Sequence, residues 1–288
     1  MDFNKHFNNH VDLINSSLSS LIEANGIVSE AMRYSLLSGG KRIRGSLVLS
    51  VCEMLEGDRD AAIKAACSVE MLHCYSLIHD DLPCMDDDDF RRGKPSCHKQ
   101  YSEAIALLAG DGLLTEAFYQ LSSIPNHEIS AKCSSLLSSA AGYRGMILGQ
   151  ELDLRGIDTE KEISSQLDII NKNKTGKLIT TSLMMGAACS HCDDEEVQRA
   201  LKEYGDNLGL VFQIVDDILD VTSSFEVLGK NSGSDANNNK VTYCSVYGIE
   251  ESSKIASELT DHCIESINRI DSSGYFEWFA KTMLNRNK

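Results

Sequence analysis

The chain has 288 residues, 42% of them hydrophobic and 24% charged, an ordinary globular balance that could fill one large core or two modest ones. Its formal net charge of -16 excludes nucleic acid and anionic membrane surfaces as partners for the molecule as a whole. An anionic substrate must then be captured locally, by clustered bases or by bound metal.

Met1 to Ser20 is polar, with Asn and Ser throughout and no apolar run, so no secretory signal is expected. No apolar run approaches the roughly 20 residues that span a bilayer, so stable membrane insertion is not expected either. Helical spacing appears at 29–37 and 42–55. Between them stands Gly39–Arg44 (GGKRIR), whose glycines can take the left-handed conformation that ends the first helix. Lys41 and Arg44, three apart, would share a face in the first turn of the next. Bases there oppose the helix dipole but suit a bound anion. Ala62, Ala66, Val69, Leu72 and Ser76 give an apolar stripe after the turn at Gly57-Asp58. His73 lies about two turns before Asp80 and, taken alone, reads as a hydrogen-bonded core histidine.

The run Asp80-Asp81-Leu82-Pro83-Cys84-Met85-Asp86 continues into Asp87, Asp88 and Asp89. Pro83 ends the helix, so Asp86 can fold back beside Asp80. Arg91-Arg92-Gly93-Lys94 follows at once. Helical stretches recur at 111–123, 128–141 and 176–190, with a basic spot at Lys172 and Lys174-Thr175-Gly176-Lys177. Ten scattered cysteines read as reduced thiols of a cytoplasmic protein, and Cys189 with Cys192 as ordinary helix residues. Val197, Leu201, Tyr204, Leu208, Val211, Val215 and Ile218 mark one long helix, with Asp193 and Glu196 as its N-terminal box. It carries Asp216-Asp217-Ile218-Leu219-Asp220, in which Asp216 and Asp220 share a face. The polar stretch Gly229–Asn239, flanked by Lys230 and Lys240, is a loop, and helices follow at 249–270 and 275–285. No linker divides the chain, so one α-helical domain over 1–288 is expected.

Asp80 and Asp216 stand near the C-terminal ends of their helices, where the dipole disfavours a carboxylate by about 0.3–1 kcal/mol. Hard divalent cations reverse that sign, and magnesium typically takes one or two carboxylates, several waters and substrate phosphates. Bases beside such carboxylates imply a substrate with several negative charges. No G-x-x-x-x-G-K-[ST] is present, so nucleotide phosphoryl transfer loses support. Metal-bridged diphosphate binding, a second basic diphosphate pocket and helix-lined apolar space together suggest a hydrocarbon diphosphate.

GGKRIR, the first aspartate motif with Arg91-Arg92, Lys174-Thr175-Gly176 and Phe212–Asp220 (FQIVDDILD) stand in the order and spacing of the trans-prenyl diphosphate synthases. From about Ile27 to Tyr243 the chain resembles the bacterial-type farnesyl diphosphate synthases, which also carry two extra residues within the first motif. The resemblance implies an all-α isoprenoid synthase bundle around a central apolar cavity, commonly a homodimer. It implies three Mg²⁺ ions, held by Asp80, Asp81 and Asp86 and by Asp216, Asp217 and Asp220. Arg91, Lys174 and Lys230 would bind the allylic diphosphate, and Lys41, Arg44, His73 and Arg92 isopentenyl diphosphate. Thr175 and Gln213 would stabilise the allylic cation. An aromatic at Tyr75, with the small Ser76 beside it, would limit growth to fifteen carbons. Two departures stand out. Gly45 replaces a usual proline, which would loosen that helix start, and Asn239–Cys244 replaces a usual GKxTYP, leaving the role of Lys240 open. Competing readings are a geranylgeranyl diphosphate synthase, a class I terpene cyclase and a non-catalytic synthase subunit. The two complete aspartate motifs and the second basic pocket weigh against the last two.

Overall fold

The computed structural model describes residues 2–158, 160–222 and 240–286. The expected loop at Gly229–Asn239, with Lys230, lies outside the described residues. Among the described residues the protein is all-α apart from one hairpin of two two-residue strands, and its contacts group into two compact units.

The first unit contains α1 (Phe3–Leu21), α2 (Ile27–Leu36), α3 (Ile43–Met54), α4 (Arg59–Asp80), the hairpin β1 (Phe90–Arg91) with β2 (Lys94–Pro95), α5 (Cys97–Gln100) and α6 (Glu103–Ser122). α3 is its axis, with every residue from Ile43 to Cys52 buried. α1 was hidden by its polar composition. Its core side is the narrow line His10, Ile14, Leu18, one residue every fourth. Asp2 caps it by accepting from the Lys5 amide at 3.1 Å, and Asp58 caps α4 by accepting from the Ala61 amide at 3.0 Å.

GGKRIR folds differently from the sequence expectation in one respect. α3 begins at Ile43, so Lys41 lies outside its first turn and only Arg44 is inside. Gly39 and Gly40, at φ 96° and 123°, make the turn that precedes it. Arg42 takes a left-handed φ of 49° because its side chain is fixed on three sides. Nε donates to Asn15 on α1 at 2.9 Å, Nη2 to the Leu36 carbonyl at 2.6 Å, and Nη1 meets Glu70 on α4 at 3.4 Å. Gly45 is also explained. Its N–H donates to Glu70 Oε1 at 2.9 Å, and a Cβ there would come within 2.9 Å of Ile14. Proline would lose that bond and clash, so glycine secures this helix start instead of loosening it.

The second unit contains α8 (Met146–Arg155), α9 (Ile163–Asn171), the π-helical turn Lys172–Gly176, α11 (Glu195–Thr222), α12 (Tyr243–Ile267) and α13 (Tyr275–Leu284); α7 (His127–Ala141) and α10 (Lys177–Ala188) each contribute residues to both units. The stripe foreseen on α11 is its core side, and fully buried Tyr204 donates to the Phe276 carbonyl at 2.8 Å. Its cap is Asp194, which accepts from the Glu196 and Val197 amides at 2.8 and 3.2 Å, so the expected box on Asp193 is corrected by one residue. The π turn is clamped between glycines. A Cβ on Gly149 would lie 2.2 Å from the Lys174 amide nitrogen, and one on Gly209 2.5 Å from Gly176 Cα. Only bare backbone fits on either side.

Candidate active site

In the first unit α4 stops at Asp80, and the chain turns back through Pro83. The Asp86 amide donates to the Asp80 carbonyl at 2.9 Å, which brings Asp86 beside Asp80 as expected, both partly exposed. Asp81 instead points inward, 2% exposed, and accepts from Arg91 Nε at 2.9 Å and from its Nη2. Burial pushes the Asp81 carboxyl up to about 6 while Arg91 pulls it the other way. Asp88 also pairs with Arg91, at 2.9 Å, and Asp89 with Lys99 at 2.7 Å. The acid run is therefore threaded with bases.

The hairpin that follows was not foreseen. Arg91 pairs with Lys94, and the two residues between them, Arg92 and Gly93, both have positive φ (54° and 74°), the pattern of a tight type I′ turn. That turn carries Arg92 to the GGKRIR loop. Its Nη1 donates to the Gly39 carbonyl, and its guanidinium lies against Gly40, where a Cβ would come within 2.8 Å of Cζ. His73 stands near the same arginines. Burial, then the positive charges of Arg44 and Arg92, hold its imidazole well below the ordinary range, so it is a neutral donor. The structure thus gathers Arg44, His73 and Arg92, with Lys41 exposed on the adjoining loop. Tyr75 is 7% exposed on α4, edge-on to His79 at 5.4 Å, and His79 Nε2 lies 3.1 Å from the Leu107 carbonyl of α6. Neighbouring Ser76 turns its hydroxyl back to the His73 carbonyl at 2.9 Å.

In the second unit Asp216, Asp217 and Asp220 lie near the end of α11. Asp216 is partly exposed and meets Arg286 Nη2 at 2.6 Å. Arg286 also donates to the Phe212 carbonyl at 2.6 Å and covers the Phe212 ring at 3.9 Å. Asp217 is buried and accepts from Gln213 Nε2 and from the Tyr243 amide, both at 2.9 Å. Asp220 is buried too. Gln213 Oε1 accepts from Thr175 Oγ1 at 3.0 Å, so Thr175, Gln213 and Asp217 form one hydrogen-bonded chain. The π turn presents Lys174 and Thr175 to this chain's surroundings, as such turns often do at functional positions. Lys174 Nζ reaches Asp153 Oδ2 at 2.7 Å, and Lys240 Nζ reaches the same oxygen at 3.5 Å. Burial alone would raise the Asp153 carboxyl, but the two lysines together draw it below its usual range.

Residues 25–274 match the family model described as polyprenyl synthetase. The chain belongs to that family. This polyprenyl synthetase is 40% identical over 280 residues to the heterodimeric geranylgeranyl pyrophosphate synthase large subunit 1, chloroplastic, of Arabidopsis thaliana, covering 94% of this chain and 75% of that protein. It is 39% identical over 277 residues to the farnesyl diphosphate synthase of Haemophilus influenzae, covering 92% and 93%. The structure of geranyltransferase from Helicobacter pylori, complexed with magnesium and isoprenyl diphosphate, matches with a TM-score of 0.84 and 32% identity over 99% of this chain and 97% of that one. The fold is accordingly the all-α bundle of the isoprenyl synthases, and the activity is that of a trans-prenyl synthase.

Asp80 with Asp86, and Asp216 with Asp220, offer carboxylate oxygens, and Asp216 already attracts a guanidinium. Such donors fit magnesium, a hard cation. Three residues of these surroundings escaped the sequence reading. Glu70 could have been suspected as a lone acid among the apolar positions of α4. Asp153 and Arg286 carry no local mark, since their partners are distant in sequence.

Proposed function

We propose that this polyprenyl synthetase makes farnesyl diphosphate, joining isopentenyl diphosphate to dimethylallyl or geranyl diphosphate. The observation that carries the choice of product is Tyr75, an aromatic buried on α4 one residue over a turn before Asp80 and edge-on to His79. A ring there blocks the path a growing hydrocarbon would take along α4. Relatives named for farnesyl and for geranylgeranyl products are similarly close, so the product rests on this residue and not on the likenesses.

In this reading Asp80 and Asp86, and separately Asp216 and Asp220, hold Mg²⁺, three ions in all; Asp81 and Asp217 act through Arg91 and through Gln213 and Tyr243. Magnesium bound there would supply positive charge to the departing pyrophosphate oxygens. Arg91, Lys174 and Lys230 bind the allylic diphosphate and stabilise pyrophosphate as its C–O bond breaks. Thr175 has given its hydroxyl hydrogen to Gln213, which leaves oxygen lone pairs for the allylic cation. Lys41, Arg44, His73 and Arg92 hold isopentenyl diphosphate so that its double bond attacks that cation. A C–C bond forms, and the proton lost from the adjacent carbon passes to pyrophosphate. We also propose a cytoplasmic homodimer. α6 leaves Leu107, Leu108 and Tyr119 exposed, with only Asp111 and Thr115 as exposed polar residues between them, which suits burial against a second copy. Among the described residues no helix is long and apolar enough to cross a membrane.

The test is chromatography of products from labelled isopentenyl diphosphate with each primer, with Mg²⁺ and with chelator. The wild type should yield fifteen carbons, and Tyr75→Ala should shift the product to twenty. Asp80→Ala and Asp216→Ala should lose turnover by orders of magnitude while helical circular dichroism is kept. A twenty-carbon wild-type product would move the assignment to geranylgeranyl diphosphate. A metal-independent enzyme would overturn the aspartate roles.

A further inference from the structure

His6 and His10, one turn apart on α1, converge with Glu53 near the end of α3. His6 Nε2 lies 3.2 Å from Glu53 Oε2, and His10 Nε2 lies 3.1 Å from the same oxygen. His10 is 3% exposed, and its Nε2 finds no hydrogen-bond partner of acceptable geometry. The other ring nitrogen explains why this matters. Ser50 Oγ donates its hydrogen to the Ser46 carbonyl at 2.7 Å, so towards His10 Nδ1, at 3.4 Å, it can only accept. The Ser50 contact thus favours a proton on Nδ1, with the Nε2 lone pair turned to Glu53. A buried lone pair facing carboxylate lone pairs at 3.1 Å needs a cation between them.

We propose that His6, His10 and Glu53 form a binding site for a borderline divalent cation of the zinc type. Two imidazoles and a carboxylate are a ligand set that zinc uses, with water completing the tetrahedron. Bonds of about 2.0–2.1 Å in a tetrahedron place donor atoms roughly 3.3 Å apart, close to both separations seen here. Ser50 supplies the outer partner that a ligating histidine typically has on its second nitrogen. Glu53 is 39% exposed, which leaves the ion a route in from solvent. Magnesium, which prefers oxygen donors, would not compete for two imidazoles. The site ties α1 to α3, the helix that bears Arg44. It uses none of the residues assigned to turnover and stands whether or not the farnesyl reading does.

The experiment titrates metal-stripped protein with Zn²⁺ in excess Mg²⁺, by calorimetry and thermal melting, with Co²⁺ as the spectroscopic substitute. One equivalent should bind and raise the melting temperature. Co²⁺ should give tetrahedral d–d bands without thiolate charge transfer. His6→Gln, at a partly exposed position that tolerates the change, should weaken Zn²⁺ binding by roughly a hundredfold, and Ser50→Ala by about tenfold. Asp80→Ala should bind Zn²⁺ as the wild type does. Absence of saturable Zn²⁺ binding, full affinity in a folded His6→Gln or His10→Ala, or a thiolate band would each overturn the site. In those cases a proton alone bridges His10 and Glu53.

Discussion

His73 shows how one side chain can be read two ways until its neighbours are known. Taken alone it reads as a hydrogen-bonded core histidine, and the family resemblance makes it a ligand. In the structure it is half-buried near Arg44 and Arg92, and it stays neutral because burial and those charges disfavour a second proton. An imidazole held below its unfolded value destabilises the fold on the acid side, because the unfolded chain takes up a proton near pH 6.5 that the native state refuses. Stability contributed this way is complete above pH 6.5 and is lost as pH falls below it. Between pH 7.5 and 5.5 the wild type should therefore lose more stability than His73→Gln does, as measured by urea unfolding at the two pH values. Parallel curves for the two proteins would remove His73 from that environment. Other single residues were legible for local reasons. Asp86 returns to Asp80 because a proline three residues after Asp80 leaves the chain no helix to follow. Glu70 and Asp153 were not, because each receives its bases from elements far along the chain.

At the level of elements, legibility followed the width of the apolar face. α11, with its broad stripe, was plain, whereas α1 buries only His10, Ile14 and Leu18 and was passed over. α6 begins at Glu103, well before the expected 111, because an apolar run without polar positions has no face to detect. The π turn has no sequence period at all, and the glycines that accommodate it sit on other helices. That gives a sharp prediction. In Gly149→Ala the new methyl would meet the Lys174 backbone, which cannot rotate away as a side-chain tip can. The variant should lose roughly 1–3 kcal/mol. It should also turn over more slowly, since Lys174 and Thr175 ride on the displaced turn. Melting temperature and steady-state kinetics measure the two effects. Loss of stability with unchanged kinetics would mean that α8 gives way in place of the turn.

For the whole molecule, the strongly acidic charge excluded polyanion partners early but said nothing of self-association. The exposed side of α6 bears on that question, with Leu108 50% and Tyr119 63% exposed. If a second copy covers this face, Leu108→Glu combined with Tyr119→Glu should give a monomer by light scattering, while the wild type runs as a dimer. Equal masses for both proteins would count against that interface. A last consequence follows from Arg42. Locked beneath the GGKRIR turn by Asn15, Leu36 and Glu70, it leaves the backbone above it no second resting place. If the loop binds an anion as proposed, its ordering happens once, as the chain folds, and is not repeated with every molecule captured. On that reading Lys41 and Arg44 stand on a socket rather than a flap, and a visiting anion would find its footing already laid.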